Sequence, residues 1–75
     1  MSKEQDILIK IGDYLNKKSK LKFKSNVEFA NVSNVDEKTI RRILQGEQNI
    51  SVKVLKRICD ALDIKISELL KDVGY

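Results

Sequence analysis

The chain has 75 residues, and 15 Lys and Arg against 11 Asp and Glu give it a formal charge of +4. This length has room for one small domain, and 41% hydrophobic residues are sufficient for a compact core. With no histidine and one cysteine, the chain lacks the usual general base, the usual neutral metal ligand and any internal disulfide. The composition therefore argues against an enzyme and predicts neither a metal nor a cofactor.

The ends and the interior of the sequence carry no targeting or membrane signal. Residues 1–6 lack the apolar segment of a secretory signal, and the apolar run 7–9 is far shorter than the roughly 18 residues that indicate a membrane span. Low-complexity tracts are also absent. We therefore expect a cytoplasmic protein, with no membrane partner, in which residues 1–75 form a single domain with short flexible ends.

The first predicted element is an amphipathic helix from Asp6 to about Lys18. Its apolar arc consists of Ile7, Leu8, Ile11, Tyr14 and Leu15. Residues 17–24 follow with five lysines and no acid. This segment is interpreted either as a solvated connector or as a short extended piece with Leu21 and Phe23 turned inward.

A second, short helix is predicted after Ser25, because Ser25 and Glu28 have the spacing of a capping box. Its apolar side consists of Phe29, Ala30 and Val32. The helix is expected to end at a turn in which Asn34 adopts a left-handed backbone conformation.

The third predicted helix, from about Glu37 to Gln45, has the clearest division into an apolar and a polar face. Asp36 is a suitable N-cap and Gly46 a suitable C-terminal stop. One face is apolar, with Ile40, Ile43 and Leu44. The other is an outward polar stripe at helical spacing, composed of Lys38, Arg41, Arg42 and Gln45.

Two further helices complete the prediction. Ser51 is expected to cap a fourth helix that ends at Asp63. Ser67 is expected to cap a final short helix, which packs against the rest of the domain through Leu69 and Leu70. Cys59 lies on the apolar arc of the fourth helix and is interpreted as a core residue, since it has no second thiol or imidazole for redox or metal chemistry. The expected fold class is all-α, with five helices and no strand.

Over about residues 11–70 the sequence resembles the helix-turn-helix regulators of the lambda-repressor and Cro superfamily. The matching positions include Ile11-Gly12, Ser25, Phe29-Ala30, Val35, Ile40, Ile43, Gly46, Asn49-Ile50-Ser51, Leu55, Ile58, Ala61-Leu62 and Glu68-Leu69-Leu70. Three of the departures from the family pattern lie in helices 2 and 3 and the turn between them. Asn34 replaces the turn glycine, Ser33 replaces an apolar residue whose packing Val32 is expected to take over, and Asp36 and Glu37 place two acids at the start of the third helix.

The resemblance implies a compact five-helix DNA-binding domain, with a helix-turn-helix at helices 2 and 3 and residues 37–45 in the major groove of double-stranded DNA. The candidates for reading bases are Lys38, Arg41, Arg42, Gln45, Asn26 and Glu37. The candidates for holding phosphates are Lys22, Lys24, Ser25 and Thr39. Glu37 and Arg41 also have the spacing of an ordinary surface ion pair, and that interpretation stays open.

The implied function is sequence-specific DNA binding by a standalone bacterial or phage transcriptional regulator, most simply a repressor. A lone small domain makes few phosphate contacts, so a homodimer on a near-palindromic operator is expected. The candidate dimer residues are Leu69, Leu70, Val73 and Tyr75.

Two alternatives to this function remain. One is an antitoxin that also binds a toxin, for which an exposed Ile9 is weak support. The other is a protein-interaction module that has lost DNA binding, which Asp36 and Glu37 favour.

Overall fold

The structure of the protein, a computed structural model, describes residues 3–74, with side chains from Asp6 onward. This part of the chain forms five helices and no strand, which confirms the predicted fold class. The helices are α1 (Lys3–Lys22), α2 (Asn26–Ser33), α3 (Glu37–Leu44), α4 (Val52–Ala61) and α5 (Ile66–Asp72). Within residues 3–74, the helices are all too short or too polar to cross a membrane.

All five helices contribute side chains to one core. The buried cluster consists of Ile11, Leu15, Phe29, Ala30, Ile40, Ile43, Leu55, Ile58, Cys59, Leu62, Leu69 and Val73. α3 packs against both α1 and α2, and α2 packs against α4.

Cys59 is a core residue as predicted. Burial raises the pKa of its thiol to about 11, an effect that Asp60 reinforces and Lys56 opposes. The thiol therefore stays protonated and unreactive at neutral pH.

The first helix is longer than predicted, because it continues to Lys22 rather than ending near Lys18. Its inward row continues at four-residue spacing from Leu15 to Ser19, which is buried and donates a hydrogen bond to the carbonyl of Asn16 at 3.0 Å. Leu21 falls on the outer side of the helix and is 85% exposed, so the alternative of an extended piece with Leu21 turned inward was wrong. Phe23 does turn inward and stacks on Phe29, with 5.3 Å between ring centroids.

Three of the four predicted N-caps are present. Ser25, Asp36 and Ser51 accept hydrogen bonds from backbone N–H groups of α2, α3 and α4, at 3.2, 3.1 and 3.2 Å respectively. The fourth prediction, an N-cap at Ser67, was wrong. α5 begins one residue earlier, at Ile66, and Lys65 occupies the N-cap with no side-chain cap bond. The Lys65 carbonyl already accepts the first helical hydrogen bonds, from the N–H groups of Glu68 and Leu69.

The turn between α2 and α3 forms as predicted at Asn34, whose φ of 56° is left-handed. The packing before the turn differs from the prediction. Val32 is 55% exposed, whereas Ser33 is only 2% exposed and its hydroxyl has no hydrogen-bond partner. Ser33 follows the fully buried Phe29 by four residues and therefore shares its direction, so Val32 cannot take over its packing.

The unpartnered hydroxyl predicts a stabilising substitution. Ser33→Ala should raise the free energy of unfolding by about 1 kcal/mol, because it removes a buried polar group that forms no hydrogen bond. Ser67→Ala is the matched control, since Ser67 is also helical but exposed. Urea unfolding of both variants measures the difference. A Ser33→Ala variant no more stable than the Ser67→Ala variant would contradict the burial assigned to Ser33.

α1 and α3 approach each other with almost no side chain between them at Gly12. A Cβ atom at this position would lie 2.6 Å from the carbonyl oxygen of Leu44 and 2.7 Å from that of Ile43. A second close contact follows the end of α3, where Gly46 has a φ of +73° and a Cβ there would lie 2.8 Å from the Cα of Ile9. Because neither glycine has a side chain, α3 and the residue that follows its C-cap can pack directly against α1.

A methyl group at position 12 should therefore be costly. Gly12→Ala is expected to lower the free energy of unfolding by about 1–3 kcal/mol, since backbone carbonyls cannot move aside as a flexible side chain can. Asp13→Ala, on the exposed side of the same helix, is the control. Thermal and urea unfolding measure both variants. If Gly12→Ala instead stabilised the protein, as the helix propensity of alanine alone would predict, the close approach would be wrong.

Candidate nucleic-acid interface

The stripe predicted on α3 faces outward, because the opposite side of this short helix is held in the core. Ile40 and Ile43 are 0% and 3% exposed. The exposed residues are Lys38, Arg41, Arg42 and Gln45, the last of which is the C-cap. The helix thus presents three cations and one amide to solvent on a rigid support.

The two acids at the start of α3 have partners within the helix. Asp36 caps the N–H of Lys38, and a carboxylate oxygen of Glu37 lies 3.1 Å from a guanidinium nitrogen of Arg41. The Arg41 side chain remains 62% exposed, so the pair contributes little to stability. A guanidinium has five N–H donors, so Arg41 can bind another group while it contacts Glu37.

A cavity of about 240 Å³ lies at the N-terminus of α2. It brings together Lys24 and Ser25, two of the predicted phosphate contacts, with Asn26. The remaining lining residues are Ser19, Lys20 and Phe23. Lys22 is not among the lining residues. Its amine lies 5.8 Å from the centroid of the Phe23 ring. Cationic side chains beside free helix N–H groups are the elements of an anion site.

A second cavity, of about 510 Å³, lies where α1, α2 and α3 meet. It brings together Asn26, Arg41 and Gln45, three of the predicted base-reading residues, with Asn16 and Leu44. Asn26 lines both cavities, so the two adjoin at the start of α2.

Two of these lining residues, Asn16 and Lys20, were not predicted from the sequence. Both lie on the part of α1 nearest its C-terminal end, four residues apart and therefore on one side of the helix. The sequence did contain a signal for them. If the predicted first helix is continued along its inward row as far as Ser19, it includes both Asn16 and Lys20. These two residues then lie on one face of the helix, on the side toward Ser25.

The other predicted contacts lie outside the two cavities. Lys38 and Arg42 are exposed on α3, whereas Glu37 and Thr39 are half-buried on the same helix. Of the predicted dimer residues, Leu69 and Val73 are 0% and 7% exposed and belong to the core of the monomer, so they are unavailable to a partner. Leu70 is 36% exposed, and Tyr75 lies outside the described residues.

A separate cavity, of about 650 Å³, lies between α1 and the end of α5 and contains no residue of α2 or α3. Tyr14 lines it, and burial, followed by the carboxylates of Asp72 and Glu68 and by Cys59, raises the pKa of its phenol. The amine of Lys18 lies 5.5 Å from the centroid of the Tyr14 ring.

Among the described residues, no group of three or more Cys, Asp or Glu side chains is arranged to hold a metal ion.

Two eight-residue helices joined at a left-handed turn, the second presenting arginine and amide side chains outward, define a helix-turn-helix DNA-binding domain. The family model of the Cro/C1-type helix-turn-helix DNA-binding domain matches residues 14–74, and the chain belongs to this family. The predicted resemblance is thereby confirmed. The family consists of DNA-binding regulator domains and is not a class of enzymes.

The solved structures similar to this chain include two regulators. The restriction-modification controller protein C.AhdI from Aeromonas hydrophila is 29% identical, with a TM-score of 0.78 over 83% of this chain and 94% of that one. The clp gene regulator ClgR from C. glutamicum is 20% identical, with a TM-score of 0.83 over 91% of this chain and 87% of that one, and supports the fold alone. A comparison with curated protein sequences gives no match.

Proposed function

We propose that this domain binds a specific sequence of double-stranded DNA and acts as a transcriptional repressor by occupying its operator. The observation that carries the proposal is the outward face of α3, where Lys38, Arg41, Arg42 and Gln45 are exposed on the side opposite the buried Ile40 and Ile43. The major groove admits an α-helix, and arginine and amide side chains match the hydrogen-bonding edges of bases there.

The base-reading roles follow from side-chain geometry. Arg41 and Arg42 have the forked donors that pair with O6 and N7 of guanine, while Gln45 and Asn26 can pair with adenine. Lys38 serves either a base or a phosphate. Glu37 holds Arg41 in place through their ion pair. In this role Glu37 need not contact a base itself.

Phosphates are proposed to bind at the start of α2, where Lys24 and Ser25 lie beside Lys20 and the free N–H groups of the helix. Lys22 and Thr39 stay predictions as outer phosphate contacts. The net charge of +4 adds a general attraction to DNA. These contacts set the register of the domain on the duplex and leave sequence reading to α3.

We further propose a homodimer on a near-palindromic operator with half-sites about 34 Å apart, in the bacterial cytoplasm at the nucleoid. Among the described candidates, Leu70 is the exposed apolar residue that a dimer surface on α5 can use. Support for a regulatory role comes from the likeness to C.AhdI, which is a restriction-modification controller protein.

The two alternatives have less support. Ile9, the residue that favours an antitoxin, is 37% exposed, and its backbone lies against Gly46 within the monomer. Asp36 and Glu37, which favour an interaction module without DNA binding, have local roles as a helix cap and as the partner of Arg41. Their charges therefore do not by themselves argue against a DNA contact.

The role of α3 is tested with two variants of equal charge change. The Arg41→Ala/Arg42→Ala double variant should lose affinity for its selected duplex by on the order of 100-fold, because each bidentate base contact is lost. The Lys53→Ala/Arg57→Ala double variant removes two exposed cations from α4 and should lose much less. The measurement is fluorescence anisotropy at two salt concentrations, on a duplex selected by the wild-type protein from a random pool. Equal losses in both variants would contradict reading by α3.

The start of α2 is tested with two matched helix caps. Ser25 and Ser51 each accept a hydrogen bond from a backbone N–H at 3.2 Å, so Ser25→Ala and Ser51→Ala should each lower the free energy of unfolding by about 1 kcal/mol. Only Ser25→Ala is expected to weaken DNA binding, measured by anisotropy well below the unfolding temperature. If both variants bound DNA equally well, the phosphate site would not lie at α2.

A further inference from the structure

An open cavity of about 360 Å³ lies between the end of α2 and the second half of α4. Its lining residues are Val32, Ser33, Asn34, Arg57, Asp60 and Ala61. They belong neither to the candidates for DNA contacts nor to the candidates for dimer contacts. DNA binding and dimer formation therefore give this cavity no role.

Both α2 residues in the lining are placed at an energetic cost. Ser33 is only 2% exposed and its hydroxyl has no hydrogen-bond partner, whereas its neighbour Val32 is 55% exposed. A buried hydroxyl without a partner lowers the stability of a protein, and an exposed valine leaves apolar surface in water. A ligand that forms a hydrogen bond with the serine and covers the valine removes both costs.

The α4 side of the cavity carries one charge of each sign. Arg57 and Asp60 are three residues apart on the helix and are therefore neighbours on its surface. Among the described side chains, the ion pairs are Glu37–Arg41 and Lys56–Asp60, so Arg57 has no acidic partner there. The Lys56–Asp60 contact is an exposed pair at 3.3 Å, and its carboxylate can accept from a further donor.

The α2 side of the cavity adds to these charges. The last carbonyl groups of a helix lack partners within the helix and give its C-terminal end a partial negative charge, which attracts an ammonium group. Asn34, directly after α2, is exposed and has a side-chain amide that can donate to a carboxylate. Val32 and Ala61 supply the apolar part of the lining. The cavity thus has partners for an anion, for a cation and for an aliphatic group.

We propose that this cavity binds a zwitterionic α-amino acid with an aliphatic side chain. The carboxylate of the ligand pairs with Arg57, its ammonium group donates to Asp60, and its side chain covers Val32 and Ala61. The Ser33 hydroxyl forms its missing hydrogen bond with the polar end of the ligand. The cavity volume lies within the range of about 300–1,000 Å³ that is usual for small-molecule sites. This binding function is additional to DNA binding and does not depend on it.

The first experiment compares three probes that share one aliphatic group. L-Valine, 3-methylbutanoate, which lacks the ammonium group, and isobutylamine, which lacks the carboxylate, are each titrated into the ¹⁵N-labelled protein without DNA. L-Valine should give saturable shifts in the backbone amides of Ser33, Asn34 and Asp60. Each analogue should bind roughly tenfold or more weakly, because it loses one charge-assisted hydrogen bond.

Three results would overturn the proposal. The absence of saturable shifts with L-valine would mean that the cavity holds water only. Equal affinity for 3-methylbutanoate would remove the role of Asp60, and equal affinity for isobutylamine would remove the role of Arg57. Either of the last two results would contradict a site for α-amino acids.

The second experiment compares Arg57→Gln with Lys53→Gln, which removes an exposed cation of the same helix that does not line the cavity. Arg57→Gln should weaken the binding of L-valine roughly tenfold or more, since the carboxylate loses its cationic partner. Lys53→Gln should bind L-valine as the wild type does. Equal affinities in the two variants would contradict the assignment of Arg57.

The third experiment uses the Ser33→Ala variant, whose two expected effects have opposite signs. Without ligand the variant should be more stable than the wild type, because it buries no unpartnered hydroxyl. With L-valine at about ten times its Kd, the Tm of the wild type should rise by roughly 5–10 °C, and that of the variant by clearly less. Glycine at the same concentration, which lacks the aliphatic side chain, corrects for general solvent effects. Equal rises in wild type and variant would show that Ser33 has a structural role alone.

Discussion

The orientation of α3 depends on the close contact between the backbone of α1 at Gly12 and the last carbonyl groups of α3. There is no space for a methyl group in this contact, since a Cβ atom would lie 2.6 Å from the Leu44 oxygen. α3 has only eight residues and is too short to be stable by itself. Its direction is therefore set by α1 on one side and α2 on the other. The same contact brings Asn16 to a cavity that Arg41 and Gln45 also line.

The charges of α3 contribute little to folding and are therefore available for binding. The Arg41 side chain of the Glu37–Arg41 pair is exposed, and surface pairs at this helical spacing contribute only about 0.3–0.5 kcal/mol to stability. Asp36 contributes more as a helix cap than as a charge. What remains on the outer surface is a row of cations and an amide on a rigid helix. The buried residues Ile40 and Ile43 supply the stability of this element.

Features that depend on local spacing could be predicted from the sequence. These include the number of helices, the caps at Ser25, Asp36 and Ser51, the left-handed turn at Asn34 and the outward stripe of α3. The five-helix DNA-binding fold was implied by the resemblance to the lambda-repressor and Cro superfamily, which rests on the joint spacing of the matching residues. The caps, the turn and the stripe are each decided within one or two helical turns of chain.

Features that depend on distant parts of the chain were missed. The continuation of α1 to Lys22 depends on Ser19 fitting into the core, and the burial of Ser33 depends on the direction that Phe29 gives to α2. Asn16 and Lys20 become candidate site residues only because α1 ends beside the start of α2. Likewise, Leu69 and Val73 could not be recognised as core rather than dimer residues until their burial was known.

The central claim, that DNA lies across the start of α2 and the outer face of α3, is tested most directly by nuclear magnetic resonance. A ¹⁵N-labelled sample titrated with the selected duplex reports on every backbone amide and on the side-chain amides of asparagine and glutamine. The account predicts the largest shifts in Ser25–Glu28, in α3 and in the side-chain amides of Asn26 and Gln45. Shifts centred instead on the outer face of α4, or on the cavity between α1 and α5, would contradict it.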